Sequence, residues 1–224
     1  MSNYIFRLYQ DTLPAANAPV YLGAGPRSLY IVEGDITIET PTAGQNHPSG
    51  SAWVGQDAIS LVAGAQGAKV WRWELLALND KSAGELRSAP GSVSTRKLVT
   101  EIELADGFEW LMRIDRVGFP KGGIAYTHVH QGPGIRCCLH GEITIDTEGT
   151  SHVYQPGESW LEVGQSPVYA PTTEKTETEF IRCLLLPRAC KGRSSVRYVL
   201  PEDAGKPKRQ MYHVFGETFI KLPS

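Results

Sequence analysis

An internal repeat constrains this chain more than any other feature of its sequence. The segment GAGPRSLYIVEGDITIE, which starts at Gly23, resembles QGPGIRCCLHGEITID, which starts at Gln131. One shift of 107 residues, which takes Gly34 to Gly141, aligns this block and a second block further along without a gap. The other aligned pairs are Gly25 and Gly132, Pro26 and Pro133, Ile36 and Ile143, Thr37 and Thr144, Ile38 and Ile145, Gly50 and Gly157, and Trp53 and Trp160. The chain is therefore predicted to contain two copies of one structural unit.

The repeated unit has the pattern of antiparallel β-structure. ITIET and ITIDTE alternate apolar with polar residues, and a Gly-acid pair precedes each of them, as in a hairpin turn. No stretch has sustained helical periodicity with caps, and the 23 Gly and 15 Pro favour short elements joined by turns. The predicted fold class is all-β, with tandem duplicated antiparallel barrels or sandwiches and few helices.

The repeat also predicts the domain boundaries. The first barrel is expected over residues 1–79 and the second over residues 100–190, joined by a polar linker rich in Gly, Pro and Ser at 80–99. The tail, residues 191–224, has no counterpart between the two copies in the sequence. Its MYHVF and TFIKL runs predict late strands that return to the body of the protein.

Composition excludes several classes of protein. The 22 basic and 24 acidic residues give a formal charge of −2 without a basic stripe, which argues against nucleic-acid and anionic-membrane binding. No segment reaches the length of a membrane span, and the N-terminus lacks the charged and apolar regions of a secretory signal. None of the four cysteines forms a CxxC pair, so we expect free thiols and a cytoplasmic protein.

The second copy carries a motif that resembles a known family. Gly122, His128 and His130 form a G-x5-H-x-H pattern, and Gly141 stands where the first cupin motif closes. Gly157 with ESWLEVG is similar to the opening of the second cupin motif. The chain thus resembles a bicupin, that is, two RmlC-like jelly-roll barrels of the cupin superfamily in tandem. The resemblance implies a homodimer, but cupins include oxygenases, isomerases, lyases, storage proteins and ligand-binding regulators, so it implies no single function.

The H-x-H spacing predicts a metal site on physical grounds as well. Side chains at i and i+2 of a strand point to the same face, so His128 and His130 would both face the barrel interior. Two imidazoles at that distance can share a divalent transition metal such as Fe, Mn, Ni or Zn. In the first copy the same shift places Tyr21 and Gly23 at these positions, so that barrel is expected to be metal-free.

The sequence departs from the cupin pattern at the two other ligand positions. The resemblance implies a glutamate seven residues before the closing glycine, where this chain has Gly134, and a histidine eleven residues after Gly157, where it has Val168. Two imidazoles alone hold a divalent metal poorly, so a third ligand is needed. The candidates are Tyr169, which a one-residue bulge would bring inward, and Glu162, Gln131 and His140.

Arg136 is the remaining candidate site residue. Counting by two from Gly134 directs Arg136, Cys138 and His140 into the barrel if no bulge intervenes. Because an inward arginine needs a counter-charge, Arg136 could anchor an anionic substrate or pair with a carboxylate such as Glu162. Cys138 is expected to be a packed core thiol.

These observations favour a metal-dependent enzyme, an oxygenase, isomerase or lyase, that acts on a small anionic metabolite. Arg136 would orient the anion, and Tyr169 or Glu162 would be the third ligand or the general acid/base. The alternatives are a non-catalytic barrel that binds a small molecule and a purely structural bicupin.

Overall fold

The computed structural model describes all residues, 1–224, and is almost entirely β-structure. Its seventeen strands are β1 Ser2–Leu13, β2 Val20–Leu22, β3 Arg27–Glu39, β4 Gly44–Pro48, β5 Ala52–Gly55, β6 Ile59–Ala77, β7 Val93–Leu104, β8 Trp110–Phe119, β9 Ile124–His130, β10 Gly134–His140, β11 Ile143–Thr147, β12 Thr150–Tyr154, β13 Ser159–Glu162, β14 Val168–Pro171, β15 Thr178–Pro187, β16 Val196–Tyr198 and β17 Met211–Ile220. Two short 3₁₀ helices, Arg188–Cys190 and Pro201–Asp203, are the only helical segments. The prediction of an all-β chain with few helices is confirmed, and no helix is long and apolar enough to span a bilayer.

The chain divides into two compact units. The first contains residues 1–112 and 218–224, and the second contains residues 113–217. In the first unit the strands pair antiparallel in the order β4-β3-β6-β1-β7, with β2 on β6 and β5 on β3. Its apolar core is built from alternate residues of these strands, which include Leu29, Ile31, Ile36, Leu61 and Val70.

The second unit consists of two five-stranded sheets. One has the order β13-β10-β15-β8-β17 and the other has the order β12-β11-β14-β9-β16. Apolar side chains from both sheets form one cluster, which includes Phe119, Cys138, Ile145, Trp160 and Phe180. Cys138 therefore lies in the core, where burial raises the pKa of its thiol to about 12.

The two units share an order of strand pairing. The first unit contains the strand order β3-β6-β1-β7, and the second unit contains the matching order β10-β15-β8-β17. Strand β17 thus takes the same place in the strand order as β7, although the two have no match in the sequence. The sequence comparison missed this match because 15 residues, 78–92, precede β7 whereas 23 residues, 188–210, precede β17. No constant shift aligns both strands.

The glycines of the repeat have equivalent conformations. Gly34 has φ of 71° and Gly141 has φ of 73°, in the left-handed region that favours glycine. A Cβ atom at Gly34 would also collide with the carbonyl of Gly67, and one at Gly141 would collide with that of Glu177. Both positions require glycine for the same two reasons.

A buried ion pair is repeated as well. Arg72 on β6 donates Nε to Asp11 on β1 at 2.6 Å, and Arg182 on β15 donates Nε to Asp115 on β8 at 2.6 Å. All four side chains are buried, and each guanidinium makes a second bond to the same carboxylate. The two pairs connect strands at equivalent positions of the strand order in the two units.

The segment predicted as a linker, 80–99, belongs to the first unit. Strand β7 begins within it, at Val93, and pairs with β1. Upstream, Arg7 donates to the carbonyl oxygen of Ser82 at 2.9 Å and Arg72 donates to that of Gly84 at 2.6 Å, while Leu86 is buried in the core. Buried arginines bind the backbone carbonyls of this segment, so the segment is held against the first unit and is not a free connection.

Candidate metal centre

A cavity of about 230 Å³ lies in the second unit. Its apolar lining residues include Phe119, Phe180, Ile143 and Ile145. The polar lining residues are His128, His130, Arg136, Glu162, Arg182, Ser194, Tyr198, Lys208, Gln210 and Tyr212. A concave site that combines apolar surface with convergent polar groups is typical of small-molecule binding.

His128 and His130 lie at alternate positions of β9 and both line this cavity. Their side chains are buried, and their ring centroids are 5.0 Å apart with the rings nearly perpendicular. Burial lowers the pKa of His128, and it lowers the pKa of His130 well below the ordinary value. Both imidazoles are therefore neutral near pH 7, which is the form that binds a metal.

The Nδ1 atom of each imidazole ring already has a hydrogen-bond partner. His128 Nδ1 lies 2.7 Å from the carbonyl oxygen of Tyr126, and His130 Nδ1 lies 3.2 Å from the hydroxyl of Ser195. The carbonyl can only accept, so Nδ1 of His128 carries the proton and its Nε2 keeps a free lone pair. Such second partners fix the orientation of metal-binding imidazoles.

Glu162 supplies a carboxylate to the same place. It lies on β13 directly opposite Gly134 on β10, the position where the cupin resemblance implies a glutamate. Its Oε1 accepts from Trp160 Nε1 at 2.9 Å, and its Oε2 lies 3.4 Å from Nε2 of His130. The neighbouring strand thus provides the carboxylate that β10 lacks.

Arg136 is paired with this carboxylate. Its Nη2 lies 2.8 Å from Oε2 of Glu162, and its Nη1 donates to the carbonyl of Gly134. Burial is complete enough to lower the pKa of Arg136 to about 10, so it remains charged at neutral pH. Of the two roles that the sequence leaves open for Arg136, the structure shows the ion pair. A Cβ atom at position 134 would lie 2.9 Å from Nη1 of Arg136, so glycine at 134 leaves the space that the guanidinium needs.

The residues present fit a divalent metal. One ligand atom each from His128, His130 and Glu162 lie within 4.8 Å of one another, and all three residues are buried. Oε2 of Glu162 is buried and has no hydrogen bond of normal geometry. Because a carboxylate oxygen can accept from more than one group, Oε2 can take a second partner besides Arg136. Two imidazoles and one carboxylate are the donor set of facial-triad sites, which leave other coordination positions open.

The other predicted ligands lie elsewhere. Tyr169 lines a different, more open surface pocket, because Val168 and Ala170 are the residues of β14 that point to the core. The pairing of β14 with β9 does shift between Val168 and Ala170, but Tyr169 pairs with Asp146 on β11 and stays outside.

His140 and Gln131 are not in the cluster either. The register of β10 shifts between Cys138 and His140, which reverses the alternation and leaves His140 exposed. Gln131 is exposed too, with its Oε1 2.9 Å from the thiol of Cys190.

Several polar lining residues were missed by the sequence analysis. Arg182 could have been found by matching VWRWELL to FIRCLLLP, which aligns it with Arg72. Tyr198, Lys208 and Gln210 come from the segment between β15 and β17, where the sequence has no periodic pattern and no match in the first copy. Nothing in their spacing indicates that they reach the cavity.

Comparisons with known proteins agree with this architecture. No protein-family profile matches the chain, and no curated protein matches it. Among solved structures, a variant of oxalate decarboxylase from Bacillus subtilis has a TM-score of 0.58 at 13% identity, over 90% of this chain and 73% of that one. AerE from Microcystis aeruginosa has a TM-score of 0.56 at 12% identity, over 82% of this chain and 88% of that one.

Salicylate 1,2-dioxygenase from Pseudaminobacter salicylatoxidans is also similar, with a TM-score of 0.53 at 11% identity over 85% of this chain and 74% of that one. These neighbours are cupin-fold proteins. The fold is that of the cupins. At such low identity the likeness to them establishes the cupin fold and leaves the chemistry to the residues of the cavity.

Proposed function

We propose that the chain is a bicupin whose second unit holds a divalent transition metal and uses it to transform a small anionic metabolite. The candidate reactions are oxygenation, isomerisation and lysis. The common strand order of the two units and the repeated Arg–Asp pair support the duplication. Neighbours named as a decarboxylase and a dioxygenase support a catalytic role for a cupin-fold cavity.

The observation that carries the proposal is the buried cluster of His128, His130 and Glu162. Its ligand atoms lie within 4.8 Å of one another inside a cavity, and the two histidine Nδ1 atoms are engaged by other groups. A metal held there would act as a Lewis acid or oxygen activator for a substrate oxygen.

The protein's own residues provide the environment for this chemistry. Arg136 acts as a positioning residue, since its ion pair holds the carboxylate of Glu162 in place. Phe119, Phe180 and their apolar neighbours add apolar surface to the cavity lining.

The charges near the cavity favour an anion. Arg136, Arg182 and Lys208 contribute three positive charges, whereas Glu162 and the partner of Arg182, Asp115, contribute two negative ones. The excess is positive before any metal is counted, and a divalent ion increases it. A carboxylate or an enolate would reduce this excess in a low-dielectric site.

A metal-free small-molecule-binding barrel is the second candidate function. The observation that favours it is the ion pair itself, because Arg136 already neutralises Glu162 without a metal. A metal is therefore not required to compensate the buried carboxylate.

Elemental analysis of the protein purified without chelator separates the two candidates. The proposal predicts about one equivalent of a transition metal, which is lost in the His128→Ala/His130→Ala variant and retained in Tyr169→Phe, a control whose side chain lies outside the cavity. Absence of metal from the wild-type protein, or full metal in the double variant, would overturn the proposed metal centre and favour the metal-free barrel.

A further inference from the structure

The second unit has three buried side-chain polar atoms without a hydrogen-bond partner, and all three belong to residues that line the cavity. They are Nη2 of Arg136, Oε2 of Glu162 and Oε1 of Gln210. The first two form an ion pair at 2.8 Å, so only Oε1 of Gln210 lacks any partner. A buried acceptor without a partner is unfavourable, and such atoms are rare in folded proteins unless a ligand or water meets them.

The amide of Gln210 is oriented by Tyr198. Nε2 of Gln210 donates to the Tyr198 hydroxyl at 2.8 Å, which leaves the amide oxygen for another group. The hydroxyl of Tyr198 accepts this bond and keeps its own proton to donate. A free acceptor and a free donor therefore lie side by side.

This polar pair is close to the metal cluster. Strand β16 pairs with β9 so that Tyr198 lies opposite His128, and the centroids of the two rings are 6.4 Å apart. The ammonium of Lys208 lies 4.6 Å above the Tyr198 ring and adds positive charge at this end of the cavity. One small molecule can reach both the histidines and the polar pair.

We propose that the ligand of this cavity is a small hydroxylated carboxylate, whose hydroxyl accepts from Tyr198 and donates to Gln210. The inference rests on the proposed function for the carboxylate end, which lies toward His128, His130 and Glu162. A single hydroxyl satisfies both partners because it is at once a donor and an acceptor. The cavity volume of about 230 Å³ lies below the roughly 300–1,000 Å³ of sites for drug-sized ligands, which favours a small molecule.

Isothermal titration calorimetry with matched pairs of acids tests this inference. The probes are 3-hydroxybenzoate with benzoate and 3-hydroxybutyrate with butyrate, titrated into the purified wild-type protein before and after removal of metal by EDTA. In at least one pair we expect the hydroxylated acid to bind about five- to tenfold more tightly, as two hydrogen bonds with a buried pair allow. Gln210→Leu and Tyr198→Phe should each reduce this ratio to less than about twofold, and Tyr169→Phe should leave it unchanged.

The outcomes for the ligand and for the metal are distinguishable. Equal binding within both pairs, no binding of any probe, or a ratio that survives both variants would overturn the hydroxyl subsite, whatever the metal content. A protein that contains no metal but retains the ratio would overturn the metal centre and support the subsite. Metal content should be unchanged in Gln210→Leu, since its side chain is not one of the three ligands.

Discussion

Removing one member of the Arg136–Glu162 pair should destabilise the second unit far more than removing both. The two groups are 1% and 7% exposed and their charged atoms are 2.8 Å apart. At an effective dielectric constant of about 20, the attraction across this distance is about 6 kcal/mol, most of which offsets the cost of taking both charges out of water. A single substitution leaves that desolvation cost uncompensated.

The expected magnitudes follow from this balance. Glu162→Gln keeps an acceptor for Trp160 but leaves the guanidinium without a counter-charge, and should lower the free energy of unfolding by about 3–5 kcal/mol. Arg136→Met leaves the carboxylate buried and unpaired and should cost a similar amount. The double variant buries neither charge and should lie within about 2 kcal/mol of wild type, which gives a coupling energy of at least about 4 kcal/mol.

Urea unfolding of the four metal-stripped proteins measures this cycle, and near-ultraviolet circular dichroism reports whether each variant keeps its packing. Single substitutions whose costs simply add in the double variant would refute the ion pair as the reason for burying Arg136. The double variant should also contain no metal despite its recovered stability, because it lacks the carboxylate ligand.

Three further predictions concern the same unit and the repeat. Below pH 6.5 the unfolded histidines bind protons while His128 and His130, with lowered pKa values, remain neutral, so stability of the metal-stripped protein should fall as the pH drops. Urea unfolding from pH 7 to 5 should show a slope of up to about 1.4 kcal/mol per pH unit for each of these histidines, and His128→Gln/His130→Gln should reduce the slope accordingly. Gly134→Ala should destabilise by about 1–3 kcal/mol, because its Cβ would lie 2.5 Å from Cδ2 of Leu184, 2.8 Å from the carbonyl oxygen of Cys183 and 2.9 Å from Nη1 of Arg136. A displaced Arg136 should also weaken metal binding in a titration; unchanged stability and affinity would contradict this. Gly34→Ala and Gly141→Ala should each cost more in thermal unfolding than Gly149→Ala, a control with the same positive φ in open space, whereas equal losses in all three would show that the collisions do not matter.

The sequence was sufficient for the fold class because its main determinants are local. Gly34, at a register shift inside β3, and Gly141, between β10 and β11, are equivalent positions, and the alternating runs that follow them lie in β3 and β11. In the tail, MYHVF and the first three residues of TFIKL lie in one strand, β17, which ends at Ile220. The equivalence of β7 and β17 could not be found, because strand pairing is a non-local property and the preceding segments differ in length.

The sequence predicts the positions of some residues of the candidate site better than those of others. The positions of His128 and His130 follow from alternation along one strand, which is local. Glu162 was one of four possible third ligands, and the choice depends on the register that places it opposite Gly134. For His140, counting along the strand failed because the register of β10 shifts between Cys138 and His140, and a shift of one residue exchanges the inner and outer faces. Tyr169 would face inward only with a one-residue bulge, and it stays outside although the register of β14 shifts there.

X-ray absorption spectroscopy at the edge of the bound metal tests the central claim most directly. The account predicts nitrogen and oxygen ligands at about 2.0–2.2 Å with outer-shell scattering from two imidazoles, reduced to none in the His128→Ala/His130→Ala variant. A sulfur ligand at about 2.3 Å, which would indicate one of the buried cysteines, or a first shell without imidazole would contradict the assignment of His128, His130 and Glu162 as the metal centre.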